Sequence, residues 1–139
     1  MTDKPKAWIF DVDGTLSLKG NRSPYEHHLS DEDEACPTAQ ALYHSLIKDY
    51  KIIICTGRDE EHRERTETWL FWQGFKGYEK LLMRPAKDER KDHYVKAEIF
   101  LNEIEPYYDI IGCVDDRNRV VDFWRGLGIV CLQIRPGDF

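Results

Sequence analysis

Two aspartates, Asp11 and Asp13, follow an apolar run and precede a glycine in the stretch WIFDVDGTL. Side chains alternate faces along a strand, so a strand that persists to residue 13 points both carboxylates the same way. Two carboxylates that close repel each other, and a positive charge should sit between them. A second acidic pair, Asp115 and Asp116, follows the apolar run IIGCV. Adjacent strand residues face opposite sides, so only one of that pair points squarely at a shared site. Four carboxylates without His or Cys form an all-oxygen donor set. That set suits Mg²⁺, which takes one or two carboxylates plus substrate oxygens. Calcium of the EF-hand kind is excluded. Counted from Asp11, the sixth and twelfth positions hold Leu16 and Arg22, where a Gly and a bidentate Glu are needed.

Groups of the opposite sign accompany the acids. Arg58, Arg84, Lys96 and Arg117 offer charge to neutralise a tetrahedral dianion, and Thr56 offers a hydroxyl donor. A metal, cationic donors and a spare carboxylate together describe phosphoryl transfer. The sequence has no GxxxxGK[ST] loop, so hydrolysis of a phosphate ester is favoured over kinase chemistry.

These residues need a frame. Apolar runs at 7–12, 51–55, 79–83, 109–114 and 129–134 each fit a buried strand. Helical patterns lie between them. Pro37 opens one, with Ala39, Leu42, Tyr43, Leu46 and Ile47 as its apolar stripe. A second covers 59–73 and stops at Gly74, with Trp69 and Trp72 read as core packing. In 89–108 the apparent stripe is Tyr94, Ala97, Leu101, Ile104 and Tyr108, which leaves Lys96 outward unless a function draws it in. In 117–127 it is Val120, Trp124 and Leu127. Strand alternating with helix predicts an α/β fold with a mostly parallel five-stranded sheet and helices on both faces. Ligands in such sheets bind at the carboxyl ends of the strands. Asp11 and Asp13, Thr56-Gly57-Arg58, Arg84 and Asp115-Asp116 all fall there, at the ends of four different strands.

The 139 residues suit one domain, 1–139, with a polar insertion at 17–36. That stretch lacks periodicity, and its Asp31–Glu34 block reads as a solvated turn. A net charge of −6 weighs against tight, sequence-independent grip on a duplex but leaves room for a local basic patch. Cys36, Cys55, Cys113 and Cys131 show no CxxC spacing, and three sit in apolar runs, so reduced core thiols are expected. With no membrane span and no apolar leader in MTDKPKAW, a cytoplasmic protein is expected.

DVDGTL, TGR, a downstream lysine and a strand-terminal DD resemble the four motifs of the haloacid dehalogenase (HAD) superfamily of phosphatases. FDVDGTL with Arg22, then TGR, Arg84, RKD followed by VKAEIF, VDDR and the closing GDF resemble the phosphatase domain of bacteriophage polynucleotide kinase–3′-phosphatases. The likeness runs along the whole chain. It departs in carrying Thr56 where the phage enzymes have Ser, and in a shorter loop before the third strand. The resemblance implies a Rossmann-like HAD fold with strand order 5-4-1-2-3 and no large cap domain.

The resemblance also implies roles. Asp11 would be the nucleophile that forms an aspartyl-phosphate, and Asp13 the general acid and then base. Thr56 and Lys96 would hold phosphoryl oxygens. Mg²⁺ would lie on Asp11, the Asp13 carbonyl and Asp116, with Asp115 the secondary candidate. Arg22, Arg58, Arg84 and Arg117 would contact the phosphate or the terminal nucleotides, and Asp92, one turn before Lys96, would orient it. The expected activity is a Mg²⁺-dependent 3′-phosphatase acting on DNA or RNA ends, with separate kinase or ligase proteins as partners to look for and no membrane. Two alternatives stand beside it: a monophosphatase of free nucleotides and a non-catalytic module that binds phosphorylated ends.

Overall fold

Alternation of buried side chains builds a sheet with two dry faces. In a computed structural model that describes residues 3–18 and 33–139, Ile52 and Ile54 pack to one side and Ile53 and Cys55 to the other. The strands are β1 (Lys6–Phe10), β2 (Lys51–Asp59), β3 (Lys80–Arg84), β4 (Asp109–Asp115) and β5 (Cys131–Gln133). All four pairings are parallel and the spatial order is β3-β2-β1-β4-β5, the order expected from the resemblance read from the other edge.

Four α-helices cover the faces: α1 (Pro37–Leu46), α2 (Arg63–Trp72), α3 (Asp92–Ile99) and α4 (Asn118–Gly126). Pro37 sits in the first turn of α1, where its missing N–H costs nothing. Ala39 and Tyr43 of α1, and Trp69 and Leu70 of α2, close one face over Phe10, Ile52 and Ile54. Phe100, Ile104, Val120, Val121 and Trp124 close the other over Ile9, Ile53 and Cys113. The four cysteines are buried free thiols. No helix among the described residues is long and apolar enough to cross a membrane.

Three expectations about faces fail for physical reasons. Tyr94 and Leu101 are exposed, at 58% and 57%, while Val95, Lys96 and Phe100 face the sheet. An apolar stripe drawn around a lysine turned outward is rotated off the true one. A π-helical turn over Phe100–Ile104, in which Glu105 N–H donates to the Phe100 carbonyl at 2.8 Å, then adds a residue and returns Ile104 and Tyr108 to the core. The buried stripe of α2 is Thr66, Trp69 and Leu70, so Trp72 is left 76% exposed rather than packed in the core. In α4, Val121 replaces Leu127 on the buried side.

Close packing reaches the backbone at Gly112, the register partner of Trp8 across β1 and β4. A Cβ there would lie 2.7 Å from the Trp8 ring. Gly112→Ala is expected to destabilise by about 1–3 kcal/mol, the usual cost of overpacking, and to lower Tm by several degrees in a calorimetric scan. An unchanged Tm would show that the Trp8 ring moves aside freely.

Candidate active site

The site forms where β1 and β4 end side by side. β1 stops at Phe10, and the Asp11 N–H donates to the Val114 carbonyl at 3.1 Å. Strand alternation therefore does not place Asp13. A tight turn does, in which the N–H groups of Thr15 and Ser17 both donate to the Val12 carbonyl and Gly14 takes φ +80°. Gly14 is also required for space, because a Cβ would fall 2.0 Å from an Asp116 carboxylate oxygen. Gly137 closes the other side: its Cβ would strike the Asp116 carbonyl, and its own carbonyl accepts the Asn118 N–H at 2.8 Å.

The expected positive charge is present, though as two groups with one for each aspartate. Lys96, buried at 1% exposure, donates at 2.9 Å to both Asp11 Oδ1 and Asp115 Oδ2. Arg58, fully buried, holds Asp13 through Nε at 3.0 Å and Nη2 at 2.6 Å, and reaches Thr66 Oγ1 at 3.1 Å. Asp33 Oδ2 lies 3.6 Å from the same guanidinium. Arg58 therefore lies beneath Asp13 and does not line the pocket, unlike the substrate contact drawn from the resemblance. Its place follows from the register shift between Thr56 and Asp59 against β3, which takes residues 57 and 58 out of the ladder and re-aims them.

Asp11, Asp115 and Asp116 each offer an oxygen within 4.8 Å of one another, an arrangement able to hold a metal ion. The three are not equivalent. Asp115 Oδ1 accepts the Asp116 N–H at 2.8 Å, and Oδ2 takes Lys96 and, at 3.4 Å, the Trp124 ring N–H. Asp115 is thus occupied inside the protein. Asp116 packs on Gly14 and faces Asp11 across the pocket. The Asp13 carboxylate, committed to Arg58, is outside the cluster.

Charge crowding shows in the protonation equilibria. Burial, followed by the nearby Asp115, pushes the Asp11 carboxyl well above its ordinary range, with Lys96 pulling the other way. Burial and Asp115 push Asp116 up to about 6. Burial also works against the Lys96 ammonium, but Asp11 and Asp115 more than offset it and hold Lys96 well above its usual range. A hard divalent cation fits this oxygen-only cluster because it supplies the charge that the buried carboxylates lack.

Around the acids lies a pocket of about 530 Å³, lined also by Thr56, Gly57, Arg84, Asp92, Lys96 and Arg117. Asp92 does not bond Lys96, the partner expected for it. Its Oδ1 accepts Arg84 and its Oδ2 accepts Arg117 Nη1 at 3.0 Å. The helical i, i+4 spacing aligns Asp92 with Lys96 along α3, but Lys96 is drawn down to the sheet and Asp92 stays at the rim. Gly57 permits this, since a Cβ there would lie 2.4 Å from Asp92 Oδ1.

Arg84 and Arg117 differ in what they have left to offer. Arg84 donates to the carbonyls of Gly57, Asp88 and Arg90 and to Asp92. Those four bonds leave one of its five N–H groups, so it chiefly ties down the 85–92 loop. Arg117 makes the single Asp92 bond and lies 4.5 Å over the Phe139 ring, with its other donors available to an anion in the pocket. Thr56 accepts the Arg58 N–H at 3.1 Å, which leaves its hydroxyl hydrogen to donate. Arg22, like most of the 17–36 insertion, lies outside the described residues.

Gly14, Gly137, Thr66 and Phe139 support the site without having been singled out by number from the sequence, and Gly57 and Trp124, read there as a strand end and a core residue, do so as well. Phe139 and Gly137 were legible only within the motif GDF. The others carry no chemical signature of their own and matter through what they touch.

The family model for the phosphatase domain of polynucleotide kinase PNKP matches residues 5–139. A putative bifunctional polynucleotide kinase/RNA ligase of Autographa californica nuclear polyhedrosis virus is 34% identical over 129 residues, 90% of this chain and 18% of that protein. A chain in the solved Pnkp1/Rnl/Hen1 RNA repair complex matches with a TM-score of 0.95 and 41% identity, covering 100% of this chain and 45% of that one. A haloacid dehalogenase-like hydrolase from Streptococcus pneumoniae, with TM-score 0.59 and 17% identity over 96% of this chain and 85% of that one, shares the fold. The chain thus spans less than half of the length of the first two relatives. With residues 5–139 matched end to end, the chain belongs to the haloacid dehalogenase-type phosphatase domains of the polynucleotide kinase PNKP family.

Proposed function

We propose that the chain is a Mg²⁺-dependent phosphatase that removes 3′-terminal phosphates from nucleic-acid ends. The observation that carries this reading is the juxtaposition of Asp11, held by Lys96 and set in an acid cluster, with Asp13 held by Arg58 at the edge of the same pocket. Asp11, Asp116 and the backbone at Asp13 would hold the ion, which supplies charge stabilisation to the phosphoryl oxygens. Asp11 attacks phosphorus and forms an oxygen–phosphorus bond as the bond to the leaving 3′ oxygen breaks. Asp13 gives that oxygen its proton. Asp13 then takes a proton from water, whose oxygen attacks the same phosphorus and releases Asp11 and inorganic phosphate. Lys96, Thr56 and Arg117 donate to the phosphoryl oxygens throughout.

The family match and the open, cation-rimmed pocket support a polymer end over a small metabolite. The RNA repair complex of the solved relative and the kinase/RNA ligase name of the viral relative make separate kinase or ligase proteins the first candidates for assembly. A substrate panel tests the reading. The 3′-phosphorylated DNA and RNA oligonucleotides should turn over at least tenfold more efficiently than 5′-phosphorylated ones, and a metal chelator should abolish the activity. Turnover of free mononucleotides alone would favour the nucleotidase reading.

Asp92 gives a sharper mutational test of the rim. Asp92→Ala is expected to lower kcat/KM by about 10–100-fold by releasing Arg117 and the 85–92 loop, as loss of an orienting partner usually does. Steady-state kinetics at saturating Mg²⁺ reads this. An unchanged kcat/KM would show that Arg117 needs no brace.

A further inference from the structure

Resting on the substrate reading above, we infer that Lys91, His93 and Arg119 form a second anion subsite at the pocket mouth. It grips the internucleotide phosphate beside the terminal nucleoside and thereby selects polynucleotide ends over mononucleotides. All three residues line the same pocket as the acid cluster. The Asp92–Arg117 bond fastens the start of α3 to the start of α4, so Lys91 and His93 flank one end of that bond and Arg119 lies two residues beyond the other.

The other cations around the pocket already have carboxylate partners inside the protein. Lys96 has Asp11 and Asp115, Arg84 and Arg117 share Asp92, and Arg90 is held by Asp88 and Glu98. Among the described residues, the side chains of Lys91, His93 and Arg119 make no ion pair and no hydrogen bond. The His93 ring rests against Tyr94, with centroids 4.3 Å apart. Glu89 and Asp59 line the same pocket, and Asp59 already accepts the backbone N–H groups of Glu61 and Lys87. Basic side chains that no carboxylate of the described residues holds thus gather at one pocket of a chain of net charge −6. They match an anion that arrives with the substrate, one phosphate away from the reacting one.

The test compares a 3′-phosphorylated pentanucleotide with a 3′-mononucleotide across a salt series, using the intact chain, the Lys91→Ala/Arg119→Ala double variant and His93→Ala. The double variant should raise KM for the pentanucleotide about tenfold with kcat unchanged, and flatten its salt dependence by one phosphate contact, a slope change of about 0.7. His93→Ala should raise the same KM severalfold. Kinetics on the 3′-mononucleotide should stay within twofold in all variants. Equal losses on both substrates, or none on the pentanucleotide, overturn the subsite. An unsubstituted protein that handles both substrates equally well overturns it too. An unsubstituted protein that hydrolyses no 3′-phosphate fails the substrate reading itself, visible before any variant is compared.

Discussion

Asp11→Asn is expected to abolish phosphate release, with kcat reduced about 10⁴-fold or more, while the folded protein becomes no less stable. The activity loss follows because an amide cannot serve as the attacking oxygen and the neighbouring carboxylates have other tasks: Asp115 is tied to Lys96, Asp13 to Arg58, and Asp116 is assigned to the metal ion. The stability result follows from the burial of three acids around one lysine. Burial and Asp115 already hold the Asp11 carboxyl well above its ordinary range, so its charge opposes the metal-free fold. Removing that charge relieves Asp115 and Asp116, and Lys96 keeps its 2.9 Å bond to Asp115. Calorimetry beside steady-state kinetics checks both halves. A fall in Tm of several degrees would show that Asp11 is there to hold the fold.

Lys96→Met has the second large effect, and in the opposite sense for stability. Methionine fills the space but leaves Asp11 and Asp115 buried beside Asp116 without their shared cation. Breaking a buried ion pair by removing one partner costs about 3–5 kcal/mol, which in a chain this long lowers Tm by roughly 10–17 °C. Added Mg²⁺ should recover part of that loss by supplying charge to the same oxygens. Turnover at saturating Mg²⁺ should still fall about 10²–10³-fold, because a donor to the phosphoryl oxygens is gone. In an Asp115→Asn background the stability cost of Lys96→Met should shrink, since less charge is left uncompensated. Full activity in Lys96→Met would remove the lysine from the chemistry and leave it a structural role alone.

The sheet was legible because its strands are buried on both faces and so read as unbroken apolar runs, and because every candidate group then fell at one end of it. The acids were legible by type. What the sequence could not convey is which cation serves which acid. Lys96 sits in an amphipathic pattern that permits it to face water. Only the convergence of Asp11 and Asp115 from two strands, far apart along the chain, turns it inward. That reversal, with the π-turn after Ile99, is what displaced the apolar stripe of α3. Arg58 was hidden in the same way: the register shift that buries it depends on the β2–β3 pairing, which no local window contains. Asp92 was read along its own helix, whereas its partners come from the ends of β3 and β4. Local pattern gives the elements and the chemical inventory, and long-range pairing decides the contacts.

The most direct test of the central claim is to quench the protein with acid during turnover of a 3′-phosphorylated oligonucleotide, reduce it with borohydride, and locate the modified residue by tandem mass spectrometry. An acyl phosphate on Asp11 is reduced to homoserine at that position, and this is the expected result. Modification at Asp13 or Asp116, or an unmodified 7–19 peptide from protein caught in steady turnover, would contradict it.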